Sequence, residues 1–418
     1  MSALGHRSAR VLGHARLWVT TAVLVGAVSL GASGQLGSAR LPGAETAASG
    51  TFHVAGNEIV SPNGSRFVPY GVVIECLSFR SALWNEPCGS QTSEGNTGSS
   101  IVTAAADNWD ANVVRFQVAQ ENLFSGPGGS VNQAYVRLVD SMVAQANSLG
   151  MVAILTLQEE NQNGYAEPTA SSAAFWTYMA GQFKNNSAVF FDLFNEPALP
   201  ASAFGPSGTT TQVWKVWRNG GSAGQVHTSN HALVTRPFIA YVGMQTLVND
   251  IRAQGASNII IAEGPNSDKD LSGLPTYGLD GSNIAYGVEP NLHGDFTQTQ
   301  QYHRFGQYAA SVPVVPEAFL DAVGSESCDP NSATDLPKLE AYLLSIHMGL
   351  IYWSLVPGVG IEGTNLNDPT SYPAGGASIA SRQCPYLGGG TDTSPTNKIG
   401  PGADIRSYFR TNSVKALT

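Results

Sequence analysis

Two glutamates, each placed just after a short apolar run, could together perform acid–base and nucleophilic chemistry. Glu196 follows FFDLF and Asn195, and Glu317 follows VPVVP, 121 positions further along the chain. A carboxylate at the end of such a run costs free energy unless it is solvated, paired or used in a reaction. Two facing carboxyl groups suit cleavage of a glycosidic bond, because one protonates the leaving oxygen while the other attacks the anomeric carbon. For an isolated Asn-Glu-Pro, a helix cap or a buried ion pair is an equally good explanation.

The segments around these glutamates repeat one pattern, in which an amphipathic helix is followed by a glycine or asparagine turn and a short apolar strand. Helices of this kind are predicted over residues 134–149, 171–184, 242–253 and 336–347. Strands are predicted near residues 68, 112, 152, 190, 258, 283, 312 and 350. Repeated helix–strand units form a parallel sheet. No G-x-G-x-x-G follows any strand, so the pattern favours a single (β/α)8 TIM barrel over a doubly wound sheet.

Each predicted strand ends in a residue that could serve a site. In chain order these are Glu75, Arg115, Gln158, Glu196, Glu263, Glu289, Glu317 and Trp353. The carboxyl ends of the strands form the catalytic face of a TIM barrel, so we expect these side chains to converge on one mouth. Each has a structural explanation when taken alone: Arg115 could pair with a buried acid, and Trp353 could fill core.

Several of these motifs resemble glycoside hydrolase family 5, the cellulase-like retaining glycosidases, over about residues 51 to 410 of this chain. FDLFNEP is similar to the family's Asn-Glu-Pro motif, and VPVVPEAF is similar to its strand-seven motif. The resemblance implies that Glu196 is the acid/base, that Glu317 is the nucleophile, and that Asn195 binds the sugar's 2-hydroxyl and the nucleophile. NVVRFQV implies that Arg115 orients the nucleophile, and LIYWSL implies that Trp353 floors the glycone subsite.

The chain departs from the family pattern at two strand ends, which marks it as a divergent member. Gln158 stands where the family usually has a histidine after strand three, and Glu289 and Asn291 stand in place of His-x-Tyr after strand six. In an alternative alignment His293 supplies the imidazole. These exchanges keep both catalytic carboxylates but weaken the prediction of a β-1,4-glucan substrate. Amino-sugar, mannan and furanoside substrates stay open, and Glu289 could equally be a compensating change within the pocket.

Aromatic side chains could bind an oligosaccharide, because the apolar face of a pyranose stacks on flat rings. Trp84 and two tryptophans in the long segment 198–237, Trp214 and Trp217, are the candidates. A packing role explains them equally well.

The N-terminus has the pattern of a secretory signal peptide. Arg7, Arg10 and Arg16 precede an apolar run at 17–30 and small residues at 31–39. We expect a signal at residues 1–34, with the cleavage site or a linker reaching to about 49, and one glycosidase barrel over 51–418. Removing 1–34 leaves 18 basic against 31 acidic residues, so the formal charge falls from -10 to -13. We therefore expect a secreted monomer with no nucleic-acid or membrane partner.

Four cysteines in a secreted chain are more typical of disulfides than of a metal site. Of the three possible connectivities, sequence proximity favours Cys76 with Cys88 and Cys328 with Cys384. The eight histidines are scattered and form no H-x-H or H-E-x-x-H, so a metal-dependent hydrolase is not indicated and no metal or cofactor is expected.

The sequence thus predicts a secreted retaining glycoside hydrolase that cleaves a β-linked polysaccharide or oligosaccharide by a two-glutamate double displacement. The alternative is a secreted, non-catalytic carbohydrate-binding protein on a decayed glycosidase barrel, which the losses after strands three and six make conceivable. Retention of both Glu196 and Glu317 argues for the enzyme.

Overall fold

Eight parallel strands form a nearly closed barrel in the computed structural model, which describes residues 50–78, 98–124, 129–158, 165–224, 238–290, 297–318, 332–353, 355–356, 359–360 and 402–417. The barrel strands are β1 (Tyr70–Ile74), β2 (Val113–Val118), β3 (Val152–Leu157), β4 (Val189–Asp192), β5 (Ile260–Glu263), β6 (Ile284–Val288), β7 (Val314–Pro316) and β8 (Leu350–Tyr352). Their hydrogen-bonded order runs from β7 down to β1 and then to β8. The predicted (β/α)8 fold is confirmed.

Helices surround the barrel and connect its strands. They are α1 (Gly98–Asp107), α2 (Gln133–Ser148), α3 (Ala170–Phe183), α4 (Thr210–Asn219), α5 (Met244–Ala253), α6 (Gln298–Arg304), α7 (Ser332–Ser345) and α8 (Gly402–Asn412). Single helical turns occur at Gln120–Leu123 and Leu274–Tyr277, and 3-10 turns at Ala201–Phe204 and Gly306–Tyr308. Four of the helices, α2, α3, α5 and α7, are the ones whose periodicity predicted them, within a few residues at each end.

The unit formed by α2 and β3 shows why the sequence folds in this way. Asn132 caps α2, since its side chain accepts hydrogen bonds from the backbone N–H groups of Ala134 and Tyr135. The apolar residues at helical spacing are buried, and the helix ends where Gly150 adopts a φ of 82°. Every residue of β3 is buried, as a parallel strand covered on both faces requires.

A small antiparallel sheet lies at the amino-terminal end of the barrel strands. It consists of His53–Ala55, Glu58–Val60 and Arg66–Phe67. Phe52 and Phe67 pack edge-to-face on each other and on Phe190 at the start of β4. These aromatic contacts join the sheet to the apolar interior of the barrel and leave the opposite end for the site.

The segment after β4 that contains the extra tryptophans has its own local structure. Helix α4 is followed by Gly221–Ala223, which pairs antiparallel with Ile239–Tyr241.

No helix in the described part of the chain is both long and apolar enough to cross a membrane.

Cys76 is not a free thiol. The other three cysteines lie outside the described residues, so the disulfide pairing stays a prediction.

Candidate active site

Glu196 and Glu317 follow β4 and β7, two strands with β5 and β6 between them, and backbone hydrogen bonds hold the chain at both strand ends. Beyond β4, Leu193 donates to the carbonyl of Ile261 at 3.0 Å and Asn195 donates to that of Leu157 at 3.0 Å. The strand is therefore pinned on both sides up to the residue before Glu196. Glu317 follows β7 directly, and its N–H donates to the carbonyl of Val288 at 2.8 Å.

A single buried arginine connects the site residues of four strands. The Nη2 atom of Arg115, on β2, donates to Asn195 Oδ1 at 2.8 Å, to Asp192 Oδ2 at 3.0 Å and to Glu263 Oε1 at 2.5 Å. Its Nε atom lies 2.8 Å from Glu317 Oε2. All four charged side chains are fully buried. The contact between Arg115 and Glu317 that the sequence predicts is present, together with two further acids.

One guanidinium among three buried carboxyls leaves an excess of negative charge, and this sets the direction of the pKa shifts. Burial opposes the charge of Arg115, but Glu263, Asp192 and Glu317 together raise its pKa above the usual value. Burial and the charge of Asp192 raise the pKa of Glu317, and the opposing effect of Arg115 does not cancel them. A nucleophilic Glu317 must be ionised, and the adjacent positive charge of Arg115 favours this form.

The hydrogen bond expected between Asn195 and Glu317 is not present between these two described residues. Asn195 directs its side-chain oxygen at Arg115, because a guanidinium N–H is a strong donor for an amide oxygen. Neither carboxyl oxygen of Glu317 has a partner that meets hydrogen-bond geometry, but Arg115 Nε lies 2.8 Å from Oε2 as an ion-pair contact. Arg115 thus brings Asn195 and Glu317 together indirectly.

Glu196 has an unusual backbone. Its φ is 49°, in the left-handed region that residues other than glycine rarely adopt. Its N–H donates to Glu263 Oε2 at 2.6 Å and to Asp268 Oδ2 at 3.2 Å. The residue is half-buried, so the candidate acid/base is the more accessible of the two glutamates.

The turn after β5 is hydrogen-bonded to the Asn-Glu-Pro segment that contains Glu196. Asn266, Ser267 and Asp268 have φ values of 65°, 52° and 57°. The N–H of Ser267 donates to the carbonyl of Pro197 at 2.9 Å, and the carbonyl of Asp268 accepts from the N–H of Glu289 at 3.0 Å. Residues from the ends of β4, β5 and β6 are thereby joined around this turn.

The remaining predicted binding residues have less defined roles. Gln158 is buried at the end of β3, with its side-chain Oε1 unpartnered, and Glu289 is buried after β6. Trp353 follows β8 and packs half-buried against the apolar interior of the barrel. Asn291 and His293 lie outside the described residues, so the choice between the two strand-six alignments stays open.

Trp214 and Trp217 belong to the core. Their exposed fractions are 2% and 0%. Trp217 donates through Nε1 to the carbonyl of Glu263 at 2.8 Å, and Trp214 stacks on Tyr277. The packing alternative therefore holds for both, while Trp84 lies outside the described residues.

Sequence reasoning missed two acids of this site, Asp192 and Asp268. Asp192 accepts from Thr156 Oγ1 at 2.7 Å as well as from Arg115. A signal was available, because a lone aspartate within FFDLF and a lone arginine within NVVRF both require buried partners. Asp268 stands in a polar segment, GPNSDKD, and no feature of the sequence distinguishes it from Asp270 as a site residue.

Three of these acids could in principle hold a cation. One oxygen from each of Asp192, Glu263 and Glu317 lies within 4.8 Å of the others. Arg115 already contacts all three, and a cation among them would face the guanidinium charge. We assign no metal to this cluster.

The family model described as Cellulase (glycosyl hydrolase family 5) matches residues 85–314 of this chain. This chain belongs to glycosyl hydrolase family 5. The resemblance seen in the sequence motifs is thereby confirmed. A comparison with curated protein sequences gave no match.

Solved structures of family 5 enzymes share the fold. A beta-glucanase from Saccharophagus degradans has a TM-score of 0.58 and 16% identity, and the match covers 86% of this chain and 93% of that one. The endoglucanase Cel5A of Thermobifida fusca has a TM-score of 0.56 and 13% identity, covering 87% and 98%. The hyperthermophilic endocellulase of Pyrococcus horikoshii has a TM-score of 0.57 and 14% identity, covering 88% and 98%. At these identities the similarity establishes the barrel and not the substrate.

Proposed function

We propose that this family 5 protein is a secreted retaining glycoside hydrolase that cleaves a β-linked polysaccharide or oligosaccharide. Glu196 is the acid/base and Glu317 is the nucleophile in a double displacement. The observation that carries the proposal is the position of Arg115 at 2.8 Å from both Glu317 and Asn195, with Glu196 next in the chain. This arrangement gathers the four motif residues at the carboxyl end of the barrel.

In the first step Glu317 attacks the anomeric carbon while Glu196 donates a proton to the leaving oxygen. The bond from the sugar to the leaving group breaks, and a bond to Glu317 forms. In the second step Glu196 takes a proton from water, and the water oxygen displaces Glu317 from the anomeric carbon. Arg115 favours the ionised form of Glu317 in both steps, because it supplies the positive charge next to the carboxylate.

The proposed substrate class includes several β-linked polymers and is broader than β-glucan alone. The beta-glucanase of Saccharophagus degradans and Cel5A of Thermobifida fusca were each solved in complex with cellotetraose. A β-glucan is therefore the first substrate to test. Gln158 and Glu289 alter the polar groups available to the sugar, so amino-sugar, mannan and furanoside polymers belong in the same panel, with product sizes read by mass spectrometry.

The two glutamates can be separated by chemical rescue. Glu317→Ala should abolish hydrolysis of every substrate, since the covalent intermediate cannot form. Glu196→Ala should give a burst with an activated aryl glycoside and then a slow steady rate. Azide should rescue this variant with retained configuration, whereas any rescue of Glu317→Ala should give inverted product. Swapped behaviour would reverse the roles.

Glu58→Ala provides the matched control, because Glu58 lies in the sheet at the opposite end of the barrel. It should hydrolyse substrate like the parent protein. If both active-site variants also retain full activity, the two-glutamate mechanism is wrong.

The losses after β3 and β6, where Gln158 and Glu289 stand, favour one alternative, a secreted protein that binds carbohydrate without cleaving it. Calorimetry and product analysis on the same polysaccharide separate the two functions. Binding without product formation across the panel would support the alternative.

A further inference from the structure

The backbone N–H of Glu196 lies between two fully buried carboxyl groups. Glu263 Oε2 accepts from it at 2.6 Å, and Asp268 Oδ2 accepts from it at 3.2 Å. Both acids have no exposed surface. Neither acid is among the catalytic pair of the proposed function, and both reach Glu196 through its backbone.

The two carboxyls also lie close to each other, because one oxygen of each accepts from the same backbone N–H. Burial raises the pKa of each, with the charge of Asp192 contributing at Glu263. Burial thus disfavours ionising both acids at once, because two adjacent buried charges would repel each other.

The two oxygens of Glu263 serve two different donors. Oε1 accepts from Arg115 Nη2 at 2.5 Å, and Oε2 accepts from Glu196. Asp268 uses only Oδ2 for Glu196, and its Oδ1 is buried without a hydrogen-bond partner. An Asp268→Asn side chain can therefore still accept from the N–H of Glu196 through its one oxygen. A Glu263→Gln side chain has one acceptor oxygen for two donors, Arg115 and the N–H of Glu196.

Backbone strain is concentrated at the same place. Asn266, Ser267 and Asp268 form three successive left-handed residues, and Glu196 is left-handed as well. A left-handed residue other than glycine is strained and persists only where its surroundings hold it. Ser267 bonds to Pro197, the residue after Glu196, so the turn and the Asn-Glu-Pro segment restrain each other.

We propose that Glu263 and Asp268 are positioning residues for Glu196: the two buried carboxyls, by accepting from its backbone N–H, fix its left-handed backbone and so aim its carboxyl at the leaving-group oxygen. This inference rests on the proposed function. It assigns a role in the reaction to residues that touch neither the sugar nor the breaking bond. Loss of the pair should impair proton donation more than nucleophilic attack.

The test is the dependence of kcat/KM on leaving-group pKa across a series of aryl glycosides. A poor leaving group needs the proton from Glu196, and an activated one does not. Asp268→Gly removes the carboxyl while glycine tolerates the φ of 57°. We expect a decrease of roughly 100-fold for the poorest leaving groups and less than about 5-fold for the best, because general acid catalysis contributes about 10²–10⁴.

Three further variants make the result specific. Ser267→Gly relieves the same turn without removing an acceptor for Glu196, so kcat/KM should depend on leaving-group pKa as steeply as in the parent protein. Asp268→Asn retains an oxygen that accepts from Glu196, so the same dependence is expected. Glu263→Gln should steepen the slope, because one oxygen cannot satisfy both Arg115 and Glu196. It also serves as the second test if Asp268→Gly does not fold.

An equal decrease for all leaving groups in Asp268→Gly and Glu263→Gln, or no decrease, would overturn the inference. Glu196→Ala must steepen the slope in the same assay. If it does so and the positioning variants do not, only this inference fails. If Glu196→Ala leaves the slope unchanged, the proposed function itself fails.

Discussion

The central residue of the site is Arg115, whose position explains why this barrel tolerates so many buried acids. Its guanidinium contacts Asp192, Glu263 and Glu317, none of which has exposed surface. A planar fork with several donors can serve these acceptors at once, whereas a lysine ammonium cannot match that geometry. The arginine therefore neutralises buried charge, and under the proposed function it also orients the nucleophile.

Replacing Arg115 by methionine should leave its carboxyl partners buried without a counter-charge. We expect the free energy of unfolding to fall by about 3–5 kcal/mol, measured by urea denaturation. Arg115→Lys should recover part of the stability but little activity, because the fork is lost. Arg410→Met removes a half-exposed pair with Asp110 and should cost about 1 kcal/mol or less. Equal effects at both sites would contradict this interpretation.

At the scale of elements, strand β6 lies between two of the site carboxyls. A Cβ built on Gly287 would lie 2.7 Å from Glu317 Cγ and 2.8 Å from Glu263 Cγ. Glycine is required there because both side chains pack against the strand. The element thus determines how closely the carboxyls of β5 and β7 approach.

Gly287→Ala should displace one or both carboxyls and reduce kcat/KM by about 100-fold, since misplacement of about 1 Å costs this much. Steady-state kinetics on the best polysaccharide from the panel provides the measurement. Gly181→Ala, in α3, meets nothing nearer than Gln254 Oε1 at 4.0 Å. This control should keep full activity and gain about 0.5–1 kcal/mol of stability.

Glu167 is a further buried acid, in the connection between β3 and α3. It is fully buried, neither of its oxygens has a hydrogen-bond partner, and burial raises its pKa well above the usual value. A raised folded-state pKa contributes stability that is present below the unfolded value of about 4.5 and is lost as pH rises through the folded value.

Glu167→Gln should remove that loss, so its stability relative to the parent protein should increase from pH 4 to pH 8. Melting temperatures across this range measure the difference. Asp107→Asn changes an exposed acid on α1 and serves as the control. A constant difference between Glu167→Gln and the parent protein would show that the carboxyl titrates normally.

At the scale of the whole molecule, closure of the sheet from β7 round to β8 gathers residues that lie far apart in the chain. Arg115 bonds to Asp192 across 77 positions and to Glu263 across 148. The amino-terminal sheet packs Phe52 and Phe67 against one end of the barrel. The candidate active site lies at the opposite end. Secretion and disulfides are predictions at this same scale.

We expect the mature protein to begin after about residue 34 and to contain two disulfides, Cys76 with Cys88 and Cys328 with Cys384. Thiol titration of denatured, unreduced protein should find close to none, and peptide mapping should identify the pairs. Reduction should lower stability by about 2–5 kcal/mol per bond. Four free thiols would contradict the predicted export.

The sequence by itself determined the fold and part of the site. The helical spacing of apolar residues over 134–149 and the turn at Gly150 predicted a strand near residue 152, and β3 spans Val152–Leu157. The strand-end rule predicted that Arg115 and Glu317 share one face, because all parallel strands end there, and the resemblance to the family predicted their contact. Strand β7 is shorter than predicted, since only Val314–Pro316 pairs with β6.

Only the tertiary structure decided which acids share the arginine and how Glu196 is held. Asp192 and Asp268 reach the site through barrel closure and a left-handed turn, and neither is encoded by local periodicity. Trp214 and Trp217 likewise proved to be core residues, because α4 packs against the barrel. Local patterns specify elements, whereas contacts between distant elements depend on how all the strands close together.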